Sequence, residues 1–173
     1  MDEQAVISKE LSLMANTLLD ENAVIAAVTA WLEAKGYRVD SVKAGHPGID
    51  IDAVHSDNNQ RWIIEAKGGT SSRVGSKAFG KDYGQNGAYK GTAEAFWMAA
   101  HWTSKPQWAD ANIGFAIPAS KHFDTHSKPL ERVCRLLGIA IFRVDPEKKV
   151  TVFPPEVEDI GSGRLSRPRE LLG

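Results

Sequence analysis

Asp50 and the triplet Glu65-Ala66-Lys67 are the residues whose types and spacing most readily do chemistry. Asp50 stands in Gly48-Ile49-Asp50-Ile51-Asp52-Ala53-Val54. There Ile49, Ile51 and Ala53 alternate with Asp50, Asp52 and Val54, the two-residue period of a strand with two distinct faces. Ser56-Asp57-Asn58-Asn59 supplies turn chemistry, because Asn and Asp tolerate left-handed backbone and bond their own main chain. Trp62-Ile63-Ile64 then has the aromatic and β-branched character of a returning strand. The predicted element is a β-hairpin, and its second strand ends with Glu65 and Lys67 on one face. Two carboxylates on adjacent strands can hold Mg²⁺ through oxygen and leave water positions open on the ion. A lysine beside them can orient or help activate an attacking water and offset negative charge in a transition state.

Gly48-Ile49-Asp50-Ile51 followed by Ile63-Ile64-Glu65-Ala66-Lys67 resembles the PD-(D/E)xK nuclease superfamily, the restriction-endonuclease-like fold. The pattern is most similar to its Mrr-like and Holliday-junction-resolvase-like branches. Ile49 stands where the motif name has Pro, and Pro47 lies further back. The resemblance implies Asp50 and Glu65 as metal ligands, helped by the backbone carbonyl of Ala66, with Lys67 positioning the water. Asp52 shares a face with Asp50 and is the alternative ligand; Asp50 is preferred because it follows Gly-Ile where the strand begins. Glu21 has two readings. As a first-turn carboxylate it favours the positive end of its helix, and as a counterpart of related nucleases it is an extra acidic ligand from the helix before the sheet. Gln85 and Tyr89, four residues apart, look like the Gln-x-x-x-Tyr motif of RecB-type nucleases. The resemblance gives that Gln a supporting role at the active-site end of the helix and turns the Tyr toward nucleic acid.

The 173 residues suit one domain with a full core, and 42% hydrophobic with 25% charged residues is an ordinary globular composition. A net charge of −1 gives no global pull toward nucleic acid, so a binding surface must come from local clustering. Such a cluster exists. From Lys67 to Lys90, the cations Lys67, Arg73, Lys77, Lys81 and Lys90 face Asp82 alone, in a Gly- and Ser-rich stretch suited to contacting a phosphate backbone. The single Cys134 excludes an internal disulfide and a cysteine-rich zinc module. No signal-peptide pattern and no apolar run near the ~20 residues of a membrane span is present, so a cytoplasmic location without membrane contact is expected.

The elements that must position the site follow in order. Residues 3–19 carry apolar side chains at helical spacing, and Asp20 caps a second helix from Glu21 to about Lys35, stopped by Gly36, with Val24, Val28, Trp31 and Leu32 buried. Gly36-Tyr37-Arg38-Val39 begins the first strand. Residues 43–48 form a loop carrying His46, which is read as solvated. A helix runs from about Asp82 to Trp102, weakened at its start by Gly84, Gly87 and Gly91, with Trp97 and Trp102 as packing residues. Asn112 to Pro118 is a buried strand, parallel to the Glu-x-Lys strand through the intervening helix. Lys121 to Pro129 reads as loop, so His122 and His126 are not read as a metal pair. Pro129 starts a helix ending at Gly138, Ile139–Val144 is a strand, and Val150–Phe153 is an edge strand.

The expected fold is α/β, a restriction-endonuclease-like mixed β-sheet flanked by helices, with one nuclease-like domain over residues 1–153 and a loosely held tail over 154–173. The expected function is a Mg²⁺-dependent nuclease, with Mn²⁺ able to substitute and DNA ahead of RNA as substrate. The expected nucleic-acid contacts are Arg73, Lys77, Lys81, Tyr89 and Lys90. A catalytically inactive nucleic-acid-binding or interaction subunit on the same fold is the alternative, and a homodimer or a larger defence or repair assembly stays open.

Overall fold

A computed structural model describes residues 18–42 and 48–157. Residues 3–17 of the helix expected over 3–19, His46, Pro47 and the chain beyond Val157 lie outside the described residues, and Leu18 and Leu19 are not helical. Asp20 is extended and its Oδ1 accepts the Ala23 amide at 2.8 Å, capping helix α1 (Glu21–Glu33). Gly36 follows at φ +88°, a left-handed turn that leads into β1 (Tyr37–Ser41). The predicted hairpin forms between β2 (Ile51–His55) and β3 (Arg61–Ala66), and Asn59 takes the left-handed turn position at φ 58°. Helix α2 (Gly84–Thr103) then leads to β4 (Asn112–Pro118).

The segment read as loop after Ser120 is instead helical. Ser120 accepts the Phe123 amide and opens α3 (Lys121–Ser127), and Phe123 and Ser127 are buried beneath it. A 3₁₀ turn over Lys128–Leu130 joins α3 to α4 (Glu131–Leu137), which Gly138 ends at φ 66°. β5 (Ile139–Val144) and β6 (Val150–Phe153) complete the strands of the described residues. Cys134 is buried, and burial pushes its thiol up to about 12, as befits a core residue. The expected tail starts later than Pro154, because Pro155–Val157 forms a 3₁₀ turn and places Val157 in the core.

The six strands form one mixed sheet in sequence order, β1-β2-β3-β4-β5-β6. β3, β4 and β5 run parallel, while β1/β2, β2/β3 and β5/β6 are antiparallel. Alternation along the strands divides the core in two. Ile51, Ala53, Trp62, Ile64 and Ala66 face α1, together with Val24, Val28 and Leu32. Ile63, Ile113, Phe115 and Ile117 face α2, together with Ala88, Ala95 and Ala99. The buried Phe142 ring meets Trp31 and Trp62 edge-on, at 5.6 and 5.3 Å between centroids.

Candidate active site

The β2/β3 register pairs Ile51 with Ile64 and Asp52 with Ile63, so one step further sets Asp50 opposite Glu65. That face is the α2 face, since Ile63 belongs to the α2 core and side chains alternate along β3. Asp50 and Glu65 are both buried, at 6% and 7% exposure. Each carboxylate has one compensating partner. Asp50 Oδ2 accepts the Ala66 amide at 2.7 Å, and Glu65 Oε1 accepts from Lys67 Nζ at 2.6 Å. The Lys67 amide extends the ladder to the Ala116 carbonyl, fixing this lysine at the carboxyl end of β3.

Two helix starts are drawn to the same place. The Gly69 amide donates to the Leu19 carbonyl at 2.7 Å, Thr70 bridges Asp20 in parallel, and the Tyr83 amide donates to the Gly69 carbonyl. These bonds bring the first turn of α1 to the end of β3, and Glu21 Oε2 lies 4.0 Å from Lys67 Nζ. Of the two readings of Glu21, its helix-end position holds, and the same position puts it within the electrostatic reach of Asp50 and Glu65.

Burial sets the electrostatics. It raises the pKa of Asp50 above the usual range, with the Ala66 amide and Lys67 pulling back. Burial also raises Glu65, opposed by the Lys67 hydrogen bond and reinforced by Asp50. Glu21 is raised by burial, and by Asp50, Glu65 and Asp20, against the pull of Lys67. Burial works to lower Lys67, but the Glu65 hydrogen bond and three surrounding carboxylates outweigh it and raise the value. Lys67 is therefore a persistent ammonium, suited to donating hydrogen bonds and carrying charge and unsuited to accepting a proton.

Three carboxylates against one ammonium leave two uncompensated negative charges when all are ionised. Hard oxygen donors with that excess suit Mg²⁺ in type and charge. Among the described residues no three of His, Cys, Asp and Glu stand grouped around a common ion position. The carboxylates are instead turned to Lys67 and to the Ala66 amide, the nearest compensating donors.

The other expected residues divide. Asp52 is taken by Arg61, whose guanidinium bonds both carboxylate oxygens while lying over the Trp108 ring. Among the described residues Asp50 has no such ion pair, its Oδ2 accepting only the Ala66 amide. A cavity of about 830 Å³ opens on the Glu21 and Lys67 side of the cluster, lined also by Arg73, Tyr83, Lys90 and Glu94 but not by Asp50 or Glu65. Arg73 and Lys90 thus stand at the site. Lys77 and Lys81 are exposed and do not line it. Gln85 is exposed in the first turn of α2, also outside the lining. Tyr89 is exposed and meets His126 edge-on at 5.4 Å. The loop between Lys67 and Tyr83 bonds to itself, from Thr70 Oγ1 to the Ala78 carbonyl and between the Ser71 and Ser76 hydroxyls.

Three features were not read from the sequence. Gly68 has no room for a side chain, since a Cβ there would lie 2.3 Å from the Glu21 amide nitrogen; the Gly68-Gly69 pair is the signal for such a close approach. Arg61 is the diagonal cross-strand neighbour of Asp52, a pairing that register alone discloses. Trp97, expected in the core, is 62% exposed, because it lies off the buried stripe of α2 formed by Ala88, Thr92, Ala95, Ala99 and Trp102. Comparison with protein-family models, curated proteins and solved structures returns no match to this chain. No helix among the described residues is long and apolar enough to cross a membrane.

The raised pKa of Asp50 has a measurable consequence. Its ionised form is disfavoured in the folded chain, so the stability of the neutral form is present at low pH and is lost as pH rises through the raised value. Asp50→Asn keeps an acceptor for the Ala66 amide and cannot ionise. It is expected to unfold at higher urea than the wild type at pH 7, a gain of about 0.5–2 kcal/mol. The gain should shrink toward zero near pH 4, about the ordinary carboxylate range.

Proposed function

We propose that the chain is a divalent-metal-dependent nuclease of the PD-(D/E)xK, restriction-endonuclease-like type, hydrolysing phosphodiester bonds of DNA in preference to RNA. The observation that carries this reading is the gathering of Asp50, Glu65 and Glu21 around Lys67 at the carboxyl end of β3, where Glu21 and Lys67 line a cavity edged by Arg73 and Lys90. Asp50 and Glu65 would hold Mg²⁺ or Mn²⁺ with the Ala66 carbonyl, and Glu21 adds a carboxylate from α1. Such an ion, when bound, supplies neutralisation of phosphodiester charge and a more acidic water. Lys67 donates to the attacking water and to the phosphoryl oxygens, and its fixed positive charge offsets the negative charge that builds in the transition state. Arg73 and Lys90 hold the flanking phosphates by charge.

The test is cleavage of linear and supercoiled DNA with Mg²⁺ or Mn²⁺, against EDTA. Binding without cleavage under every divalent ion tried would replace this reading with that of a nucleic-acid-binding module. The cations around the cavity give a second measurement. With Ca²⁺ in place of Mg²⁺ to suppress cutting, Arg73→Ala and Lys90→Ala should each flatten the salt dependence of duplex binding by a slope of about 0.9, the value per phosphate neutralised. Lys77→Ala/Lys81→Ala should change it less, since neither side chain lines the cavity. Equal slopes for all variants would place the phosphate contacts elsewhere.

A further inference from the structure

Trp97 is a large apolar side chain left 62% exposed on α2, and it is not isolated. One turn further on, the His101 ring lies parallel to the indole, with 5.2 Å between centroids and 6° between planes. The pair makes a flat aromatic step. Trp97 borders a cavity of about 480 Å³ lined also by Glu65, Lys67, Ala93, Glu94 and Met98. This cavity shares Lys67 and Glu94 with the larger one edged by Arg73 and Lys90, so the two meet over the cluster.

The two arms differ in chemistry. The arm with Arg73 and Lys90 sets three cations, Lys67 among them, against Glu21 and Glu94, an excess that favours a phosphate. The arm with Trp97 adds Glu65 to the shared Lys67 and Glu94, so acids outnumber cations there, alongside apolar surface from Ala93, Trp97 and Met98. A neutral flat group suits that arm, and a strand whose backbone lies along the basic arm carries such groups. Inside a duplex each base is stacked on both sides and has no face to offer. An unpaired base has one, and stacking on an aromatic side chain is how sequence-independent single-strand binders hold it. We propose that Trp97 is a stacking platform for an unpaired nucleobase beside the Lys67 cluster, so that the preferred substrate is single-stranded at the cut, as in a free strand, a flap or a frayed end. The proposal rests on the nuclease reading above and adds the substrate class.

The experiment measures binding of a short labelled single strand and of a blunt duplex of the same sequence, in Ca²⁺, by wild type, Trp97→Ala and Trp97→Phe. Losing one stacked base should weaken single-strand binding about tenfold or more and lower the ratio of single-strand to duplex affinity accordingly. Trp97→Phe, which keeps a ring, should restore most of it. Thermal unfolding checks that the exposed substitution leaves the fold intact. Equal effects on both ligands, or none, would overturn the proposal. So would a changed oligomeric state in Trp97→Ala with unchanged single-strand affinity, which would make Trp97 a contact between copies. If the wild type cuts duplex DNA and Trp97 has no effect, the stacking inference fails and the nuclease reading stands. If the wild type neither binds nor cuts any nucleic acid, both fail.

Discussion

Lys67→Ala is expected to lower cleavage at least a hundred- to a thousandfold, about the loss seen when one preorganised donor to a developing negative charge is removed. Its effect on folding should be opposite to that of Asp50→Asn. Removing the ammonium leaves Glu65 at 7% exposure with its hydrogen bond gone, and leaves Asp50 and Glu21 nearby with nothing to offset them. A buried charge stripped of its partner costs about 3–5 kcal/mol, and the partial exposure of Lys67 places the loss at or a little below the lower end of that range. That loss should appear at pH 7 and diminish as the carboxylates protonate. Glu65→Gln separates chemistry from stability, because it keeps an oxygen for Lys67 and removes one of the clustered negative charges. It should lose cleavage to the same extent with a melting temperature close to the wild type. Full activity in either variant, measured as initial rates in Mg²⁺, would reduce the cluster to a structural ion pair.

Gly68→Ala should damage both fold and activity from a position that carries no functional group. A methyl group there would lie 2.3 Å from the Glu21 amide nitrogen and 2.6 Å from the Asp20 carbonyl carbon, both backbone atoms that cannot rotate aside. Either the strand end or the start of α1 must move. Overpacking of this kind costs about 1–3 kcal/mol, and more where backbone is involved. The displaced elements are those that place Glu21 and Lys67, and about 1 Å of misplacement at a reacting centre is enough for about a hundredfold loss. The expected result is a lowered urea midpoint together with a fall in cleavage larger than the remaining folded fraction accounts for. Gly69→Ala is the control, since a Cβ there would meet its nearest neighbour, a Pro118 side-chain carbon, at 3.5 Å, an ordinary contact. Equal behaviour of the two variants would show that Gly68 does not set the approach of α1.

What the sequence determined by itself is what short-range periodicity can carry. Alternation in 48–54 and 62–67, with turn residues between, predicted the hairpin and put Glu65 and Lys67 on one face, while the register that sets Asp50 opposite Glu65 came from the structure. The Asp20 cap, the Gly36 and Gly138 stops, and the buried run of β4 follow from residue types acting on their own neighbours. The tertiary structure decided whatever depended on residues distant in sequence. Helix α3 was hidden because its seven residues look polar, and the buried faces of Phe123 and Ser127 emerge only under packing. Asp52 and Asp50 are alike in type and share a face, and their partners on the neighbouring strand distinguish them, the Arg61 guanidinium for Asp52 and the Ala66 amide for the more buried Asp50. Trp97 and Trp102 lie five residues apart on one helix, and which of them is buried depends on which side of α2 meets the sheet. Glu21 and Lys67 are separated by more than forty positions, and they meet because hydrogen bonds from Gly69 to Leu19 and the missing side chain at Gly68 let α1 close on the end of β3. Periodicity assigns a residue to a face, and only packing decides what that face meets.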